Sequence, residues 1–219
     1  MYYTSRTSHN WKSQPGNVDA LNIMKGIYEA DNIFDIPTIE RQDFVPVDLV
    51  SYKDTLRPKN KDWDNTVHFF LDDYQFEPVW SKADQTLSRI QKIGRALTPD
   101  FSLYIDYPKA LQIFNTYRNR WLGCYWQEKG IDVIPTISWS DEESFAFCFK
   151  GVEKGSTVAI STVGTRYAKE GFILGFEEMI RQIEPEKLIV YGECMPVKFE
   201  DYVKEVYKYE THWGKKRNK

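Results

Sequence analysis

From about residue 47 onward, short apolar runs alternate with longer segments whose apolar residues recur at helical spacing. A continuous apolar run of roughly 4–8 residues between turn residues is typical of a strand buried on both faces, as in a parallel sheet. The predicted strands are Val47–Tyr52, Thr66–Leu71, Ser102–Ile105, Val133–Ile137, Thr157–Ser161 and Leu188–Tyr191.

Two of the intervening segments have clear helical spacing. One is Pro108–Lys129, with a proline in its first turn and Gly130 just beyond it, and the other is Phe172–Ile183. A further helix is predicted from Asn17 to about Asp31. The segment Ser140–Phe149 begins like a capping box that opens a helix, but its phenylalanines also alternate as in a strand.

Strands that alternate with helices predict an α/β fold in which helices cover a parallel sheet. About six βα units favour an incomplete or irregular (β/α) barrel, and an open doubly wound sheet is the alternative, because the unit count does not separate the two. The predicted division is an N-terminal extension with one helix over residues 1–40, one α/β domain over 41–210, and a basic tail over 211–219.

The composition is that of a globular protein, with 219 residues, 42% hydrophobic and 28% charged. A formal net charge of −3 argues against a generally basic, nucleic-acid-coating surface. Three widely spaced cysteines without a CxxC pair fit reduced thiols in a cytoplasmic protein. No apolar run approaches the roughly 20 residues that span a bilayer. We therefore expect a cytoplasmic protein without a membrane partner.

Acidic residues follow several of the predicted strands, and parallel α/β folds bind their ligands at this carboxyl edge. Clustered carboxylates can act as general acid and base, since close like charges raise one pKa. They can equally bind Mg²⁺ or Mn²⁺, or merely cap the helices that follow. The predicted catalytic residues are Asp72, Asp73, Asp106 and Glu193.

The run STVGTR, after the strand TVAIS, is a candidate phosphate site because a glycine-containing turn presents backbone N–H groups beside an arginine. An ordinary turn is the alternative. In the run YRNRW, arginines beside a tryptophan can bind a phosphate or stack on a base, or pair with surface acids. The predicted substrate-binding residues are Trp139, Thr162, Gly164, Thr165, Arg166 and Arg118.

Several longer phrases, among them VHFFLDDYQFEPVW, TPDFSLYIDYP, NTYRNRWLGCYWQEKGIDVIPTISW and IRQIEPEKLIVYGE, occur in this order along the chain. They resemble a bacterial and phage family, the domain of unknown function 4417 family, over roughly residues 45–195. The resemblance implies a prokaryotic or phage cytoplasmic protein and carries no activity over to any residue.

Two functions fit these patterns. The first is an enzyme that acts on a phosphorylated or nucleotide-like small molecule through the strand-end carboxylates, with Mg²⁺ or Mn²⁺ as a candidate cofactor. The alternative is a non-catalytic factor of a phage or mobile element that binds nucleic acid or a host protein through an aromatic and basic face. The alternative predicts salt-sensitive binding to DNA or RNA.

Overall fold

The computed structural model describes residues 19–56, 65–165, 168–192 and 197–211. In these ranges strands and helices alternate along the chain. The strands are β1 (Leu49–Ser51), β2 (Thr66–His68), β3 (Arg95–Leu97), β4 (Asp132–Ile134), β5 (Thr157–Ser161), β6 (Lys187–Tyr191) and β7 (Glu205–Tyr209). The α-helices are α1 (Pro78–Ser81), α2 (Ala83–Ile93), α3 (Lys109–Glu128) and α4 (Lys169–Ile183).

Every strand pair is parallel, in two sheets of order β1-β2-β3-β4 and β5-β6-β7. A parallel bridge between Thr136 and Ala159 connects the chain beyond β4 to β5. Across the sheets, the rings of His68 on β2 and Tyr191 on β6 have centroids 4.6 Å apart. The predicted α/β class with parallel strands is confirmed.

A closed barrel is not confirmed, because no pairing between β7 and β1 occurs among the described strands. The alternative, an open doubly wound sheet, fits the two parallel sheets and their covering helices. Side chains on alternate positions of the strands point to two cores. Val158 and Ile160 of β5 pack with α4, whereas Ala159 packs with Leu97 of β3 and Ile189 of β6.

The amino edge of the sheets is covered by the chain segment that precedes β1. The backbone N–H of Val133, in β4, donates to the side-chain oxygen of Gln42. Asp43 pairs with Lys187 at the start of β6, and Phe44 packs against the core between the strands. The segment before β1 therefore covers part of the amino edge.

The predicted strand Ser102–Ile105 is wrong, since these residues form a loop and the strand in this region is Arg95–Leu97. Gly94, with φ of 80°, ends α2 directly before β3, so the strand begins without a connecting loop. A strand of only three residues is stable here because β3 pairs with a strand on each side and both of its apolar side chains are fully buried. The strand β7 was not predicted.

The helix predicted from Asn17 is not present in residues 19–31, which form turns. Asn22 has a left-handed φ of 59°, which interrupts a helix, and the side chains of Leu21 and Met24 are exposed. In place of the helix predicted over Ser140–Phe149 there is a short 3-10 helix, Glu142–Ala146, and the alternative strand is absent.

The long helices are confirmed, α3 to within one residue of the predicted ends, and the strand Thr157–Ser161 has the predicted bounds. The predicted division at residues 40 and 210 stays a prediction, and the basic tail from residue 212 onward lies outside the described residues. Among the described residues, no helix is long and apolar enough to cross a membrane. The cytoplasmic location stays a prediction.

Two glycines of α4 test how closely Trp139 packs on this helix. A Cβ at Gly175 would lie 2.1 Å from the indole nitrogen of Trp139, whereas a Cβ at Gly171 would meet nothing within 4 Å. We expect Gly175→Ala to lower the free energy of unfolding by about 1–3 kcal/mol through overpacking. Gly171→Ala should leave it unchanged or raise it by up to about 1 kcal/mol. Urea unfolding of both variants measures this, and equal values would contradict the close contact.

Candidate functional site

The loops after β2, β3 and β4 meet at the carboxyl edge of the first sheet. The loop after β3 turns at Pro99 and carries Asp100, whose carboxyl group lies close enough to the side chain of Ser138, from the loop after β4, for the two to interact. Asp73, from the loop after β2, is close enough for its charge to act on Asp100. Three loops therefore place two carboxyl groups and a hydroxyl group together.

Asp73 holds the loop after β3 in place. Its carboxylate accepts hydrogen bonds from the backbone N–H of Ser102 at 3.1 Å and from the Ser102 hydroxyl at 2.8 Å. The backbone oxygen of Ser102 in turn accepts from the Asn115 side chain at 2.7 Å. Asp73 therefore has a positioning role in addition to its charge.

The loop after β3 lacks strand partners, so its backbone carbonyls need other donors. These donors come from one buried polar face of α3, which we call the α3 amide row: Gln112, Asn115 and Asn119. Gln112 donates to the carbonyls of Tyr104 and Tyr107, at 3.1 and 2.9 Å. Asn119 donates to the carbonyl of Pro99, directly before Asp100, at 2.7 Å. The row therefore fixes where Asp100 lies.

The surroundings of Asp100 favour its protonated form. Desolvation by the surrounding protein is the largest effect and raises the pKa of Asp100 to about 7. The negative charge of Asp73 raises this pKa further, while the polar side chain of Ser138 lowers it. A carboxyl group with a pKa near neutrality can both donate and accept a proton at physiological pH.

The other predicted catalytic acids are not brought to this cluster by the described structure. Asp72 is exposed, its carboxylate accepts a hydrogen bond from the side chain of Gln75 at 2.9 Å, and its side chain does not cap the following turn. Asp106 is exposed in the loop that replaces the predicted strand. Glu193 lies outside the described residues.

Two groups of predicted substrate-binding residues lie elsewhere on the carboxyl edge. Trp139 packs on Phe172 of α4 and donates to the backbone oxygen of Gly171 at 3.3 Å. Thr162, Gly164 and Thr165 form a tight turn after β5, in which the Thr165 hydroxyl donates to the Thr162 carbonyl.

Gly164 has φ of 81°, and none of the described residues lies within 4 Å of where its Cβ would be. Arg166, the last residue of the predicted phosphate run, lies outside the described residues. The turn is thus in place after its strand, and its role in binding phosphate stays a prediction.

The two arginines of the run YRNRW are buried. Arg118 pairs with Glu77 at 2.8 Å, and its guanidinium group lies 3.5 Å from the centre of the Phe101 ring. Arg120 is 2% exposed. Neither arginine forms part of an exposed basic face, so within the described residues the nucleic-acid alternative loses this support. Its remaining basis is the phage and mobile-element context of the family and the basic C-terminal tail.

A metal site made of several carboxylates is not assembled in the part of the chain that is described. Within those ranges no group of three or more His, Cys, Asp or Glu side chains lies close enough to hold a metal ion. Asp73 and Asp100 by themselves offer two carboxyl groups, and one of them is engaged by Ser102. A role for Mg²⁺ or Mn²⁺ stays a prediction.

The most informative residue of the cluster, Asp100, was not predicted. The predicted strand Ser102–Ile105 makes Asp106 the acid at its end, whereas the strand in the structure, β3, is followed by Thr98, Pro99 and Asp100. The dipeptide Pro-Asp directly after a short apolar run was a usable turn signal.

A parallel α/β protein with a cluster of acids at the carboxyl edge of its strands is the class that the fold and the cluster define. The family model described as Domain of unknown function (DUF4417) matches residues 28–210, and the chain belongs to this family.

The chain is 42% identical to the Gene 1 protein of Mycobacterium phage L5 over 220 residues, 97% of this chain and 94% of that protein. It is 38% identical to the Gene 1 protein of Mycobacterium phage D29 over 224 residues, 98% of this chain and 80% of that protein. No solved structure matches. The predicted family resemblance is confirmed.

The raised pKa of Asp100 makes a prediction about stability. In the unfolded chain this carboxyl group ionises near pH 3.8, and in the folded protein near pH 7, so between these values the unfolded state has lost a proton that the folded state keeps. The contribution of Asp100 to stability therefore falls as pH rises from about 4 to about 7, by up to about 4 kcal/mol.

Asp100→Asn removes this pH-dependent contribution. We therefore expect the free energy of unfolding of the variant to rise steadily relative to that of the wild type over that pH range. The measurement is the free energy of unfolding in urea at pH 4, 5.5, 7 and 8. Asp132→Asn, an exposed acid at the amino edge, is the matched control and should follow the wild type. A difference between wild type and Asp100→Asn that stays constant with pH would contradict the raised pKa.

Proposed function

We propose that this protein is an enzyme that acts on a phosphorylated or nucleotide-like small molecule at the carboxyl edge of β2, β3 and β4. The observation that carries the proposal is the convergence of Asp73, Asp100 and Ser138 from three separate loops. In parallel α/β proteins, groups placed together at this edge act on ligands. The partly covered amino edge supports the same choice of face.

The division of roles follows from the surroundings of each group. Asp100 is the general acid or base, because its pKa of about 7 matches proton transfer at neutral pH. Asp73 is a positioning residue, because its hydrogen bonds hold the loop at Ser102 while its charge helps keep Asp100 protonated. The Ser138 side chain favours the ionised form of Asp100 and so opposes the effect of burial.

The nucleotide-like character of the substrate is supported by two tyrosines in the same loop as Asp100. Tyr104 and Tyr107 are exposed, and their rings lie edge to face with centroids 5.0 Å apart. The α3 amide row holds the backbone of both residues through Gln112. A fixed, exposed aromatic ring beside an acid can stack on a base or a similar flat ring.

A second feature supports a phosphate on the substrate. The turn Thr162–Thr165 follows β5 at the same edge of the strands, and none of the described residues lies within 4 Å of where a Cβ of its Gly164 would be. Backbone N–H groups in such a turn favour anions.

The proposal is tested by incubating the full chain with a panel of nucleotides and phosphorylated small molecules and following products by mass spectrometry and phosphorus NMR. For any substrate found, Asp100→Asn should lower kcat by about 10²–10⁴-fold, the usual contribution of a general acid or base. The wild-type pH profile should show an apparent pKa near 7.

Asp132→Asn, at the opposite edge, is the control and should keep full activity. Turnover by Asp100→Asn at the wild-type rate would overturn the assignment of the acid. An absence of turnover across the panel, with correctly folded wild type, would count against the enzyme.

A further inference from the structure

Arg120 is buried without an acidic partner in the described part of the chain. Four of the five N–H groups of its guanidinium donate to neutral acceptors. These acceptors are the carbonyls of Lys150, Thr136 and Cys148 and the side-chain oxygen of Asn119. Burial lowers the pKa of Arg120 to about 10, so the group stays charged at neutral pH. A buried charge is costly unless an opposite charge balances it.

A cavity opens beside this charge. It has a volume of about 190 Å³ counted out to its mouth, and Arg120, Thr136 and Ser138 are among the residues that line it. Thr136 is 1% exposed, and its hydroxyl group has no hydrogen-bond partner within the ranges that the structure describes. The lining thiol of Cys148 is neutral, because burial raises its pKa to about 12. The cavity therefore combines a positive charge with a free hydroxyl donor.

We infer that this cavity is an anion subsite that takes one oxygen of a phosphate group, bound by the Thr136 hydroxyl and the remaining N–H of Arg120. The inference deepens the proposed function and rests on it for the identity of the substrate, because Ser138 lines the cavity and its side chain also interacts with Asp100. The enclosed part of the cavity has room for about one water-sized group, so it takes a single oxygen atom of a substrate and not a whole ligand.

The charge of the site selects the ligand. An oxygen of a phosphate group can accept from both donors at once and supplies the negative charge that Arg120 lacks. A neutral hydroxyl or a water molecule would satisfy Thr136 but would leave the charge unbalanced. The site is therefore expected to prefer phosphate over uncharged analogues.

The experiment measures the melting temperature of the full chain in inorganic phosphate and in sodium chloride of equal ionic strength. A ligand of the folded state raises the melting temperature. We expect phosphate to raise it in the wild type and the effect to be lost, or the apparent Kd to weaken at least tenfold, in Thr136→Val. Valine is close to threonine in size, and the hydroxyl it removes has no protein partner, so the fold should persist.

Thr66→Val is the matched control. Thr66 is also fully buried with an unpartnered hydroxyl group, but it lies in β2 and does not line the cavity. This variant should respond to phosphate like the wild type. An equal response in Thr136→Val, or an equal effect of chloride and phosphate on the wild type, would overturn the inference.

The inference and the proposed function can fail separately. Asp100→Asn should keep the phosphate response while it loses turnover, because the acid does not bind the anion. If phosphate has no effect on the wild type but Asp100→Asn is inactive, the proposed anion subsite is contradicted and the proposed enzyme is supported. If phosphate binds through Thr136 but no substrate turns over, the proposed subsite is supported and the proposed enzyme is contradicted.

Discussion

The constraint on which the carboxyl edge depends is the need to satisfy the backbone of the loop after β3. This loop leaves the sheet at Pro99 and makes no strand pairs, so its carbonyls would be buried without donors if α3 turned an apolar face toward it. The side-chain amides of Gln112, Asn115 and Asn119 supply those donors. Their spacing along α3 aligns three successive points of the loop, and so fixes Asp100 and the two tyrosines.

The same constraint explains why the orientation of α3 was only partly predictable. The helix itself follows from its periodic apolar residues, and Trp121 and Tyr125 are buried as this periodicity requires. Leu111 belongs to the same apolar pattern, yet it is half exposed, because the neighbouring Gln112 turns inward to the loop carbonyls. In a helical pattern a glutamine is predicted to face solvent. The pattern contains no information on the loop carbonyls to which this glutamine donates.

Strands were predictable where the apolar run is long and flanked by turns, as in Thr157–Ser161. They were not predictable where pairing on both sides stabilises only three residues, as in Arg95–Leu97. The run Ser102–Ile105 has the better strand composition, but it is a loop in which Ile105 is exposed. That one misplacement moved the predicted strand-end acid from Asp100 to Asp106. The location of the site on the carboxyl edge was thus predictable, whereas its central residue was not.

The polar groups buried under this edge cost stability that an apolar core would not. Within the described residues, Arg120 has no acidic partner and the Thr136 hydroxyl has no hydrogen-bond partner. Both are unfavourable, and replacing buried charges with apolar side chains often stabilises a protein. Proteins keep residues that destabilise the fold locally mainly where a functional site requires them. Arg120, Thr136 and Asp100 all lie around Ser138, so the departures are concentrated at one place. Their concentration at the carboxyl edge is the physical reason to assign the chemistry there.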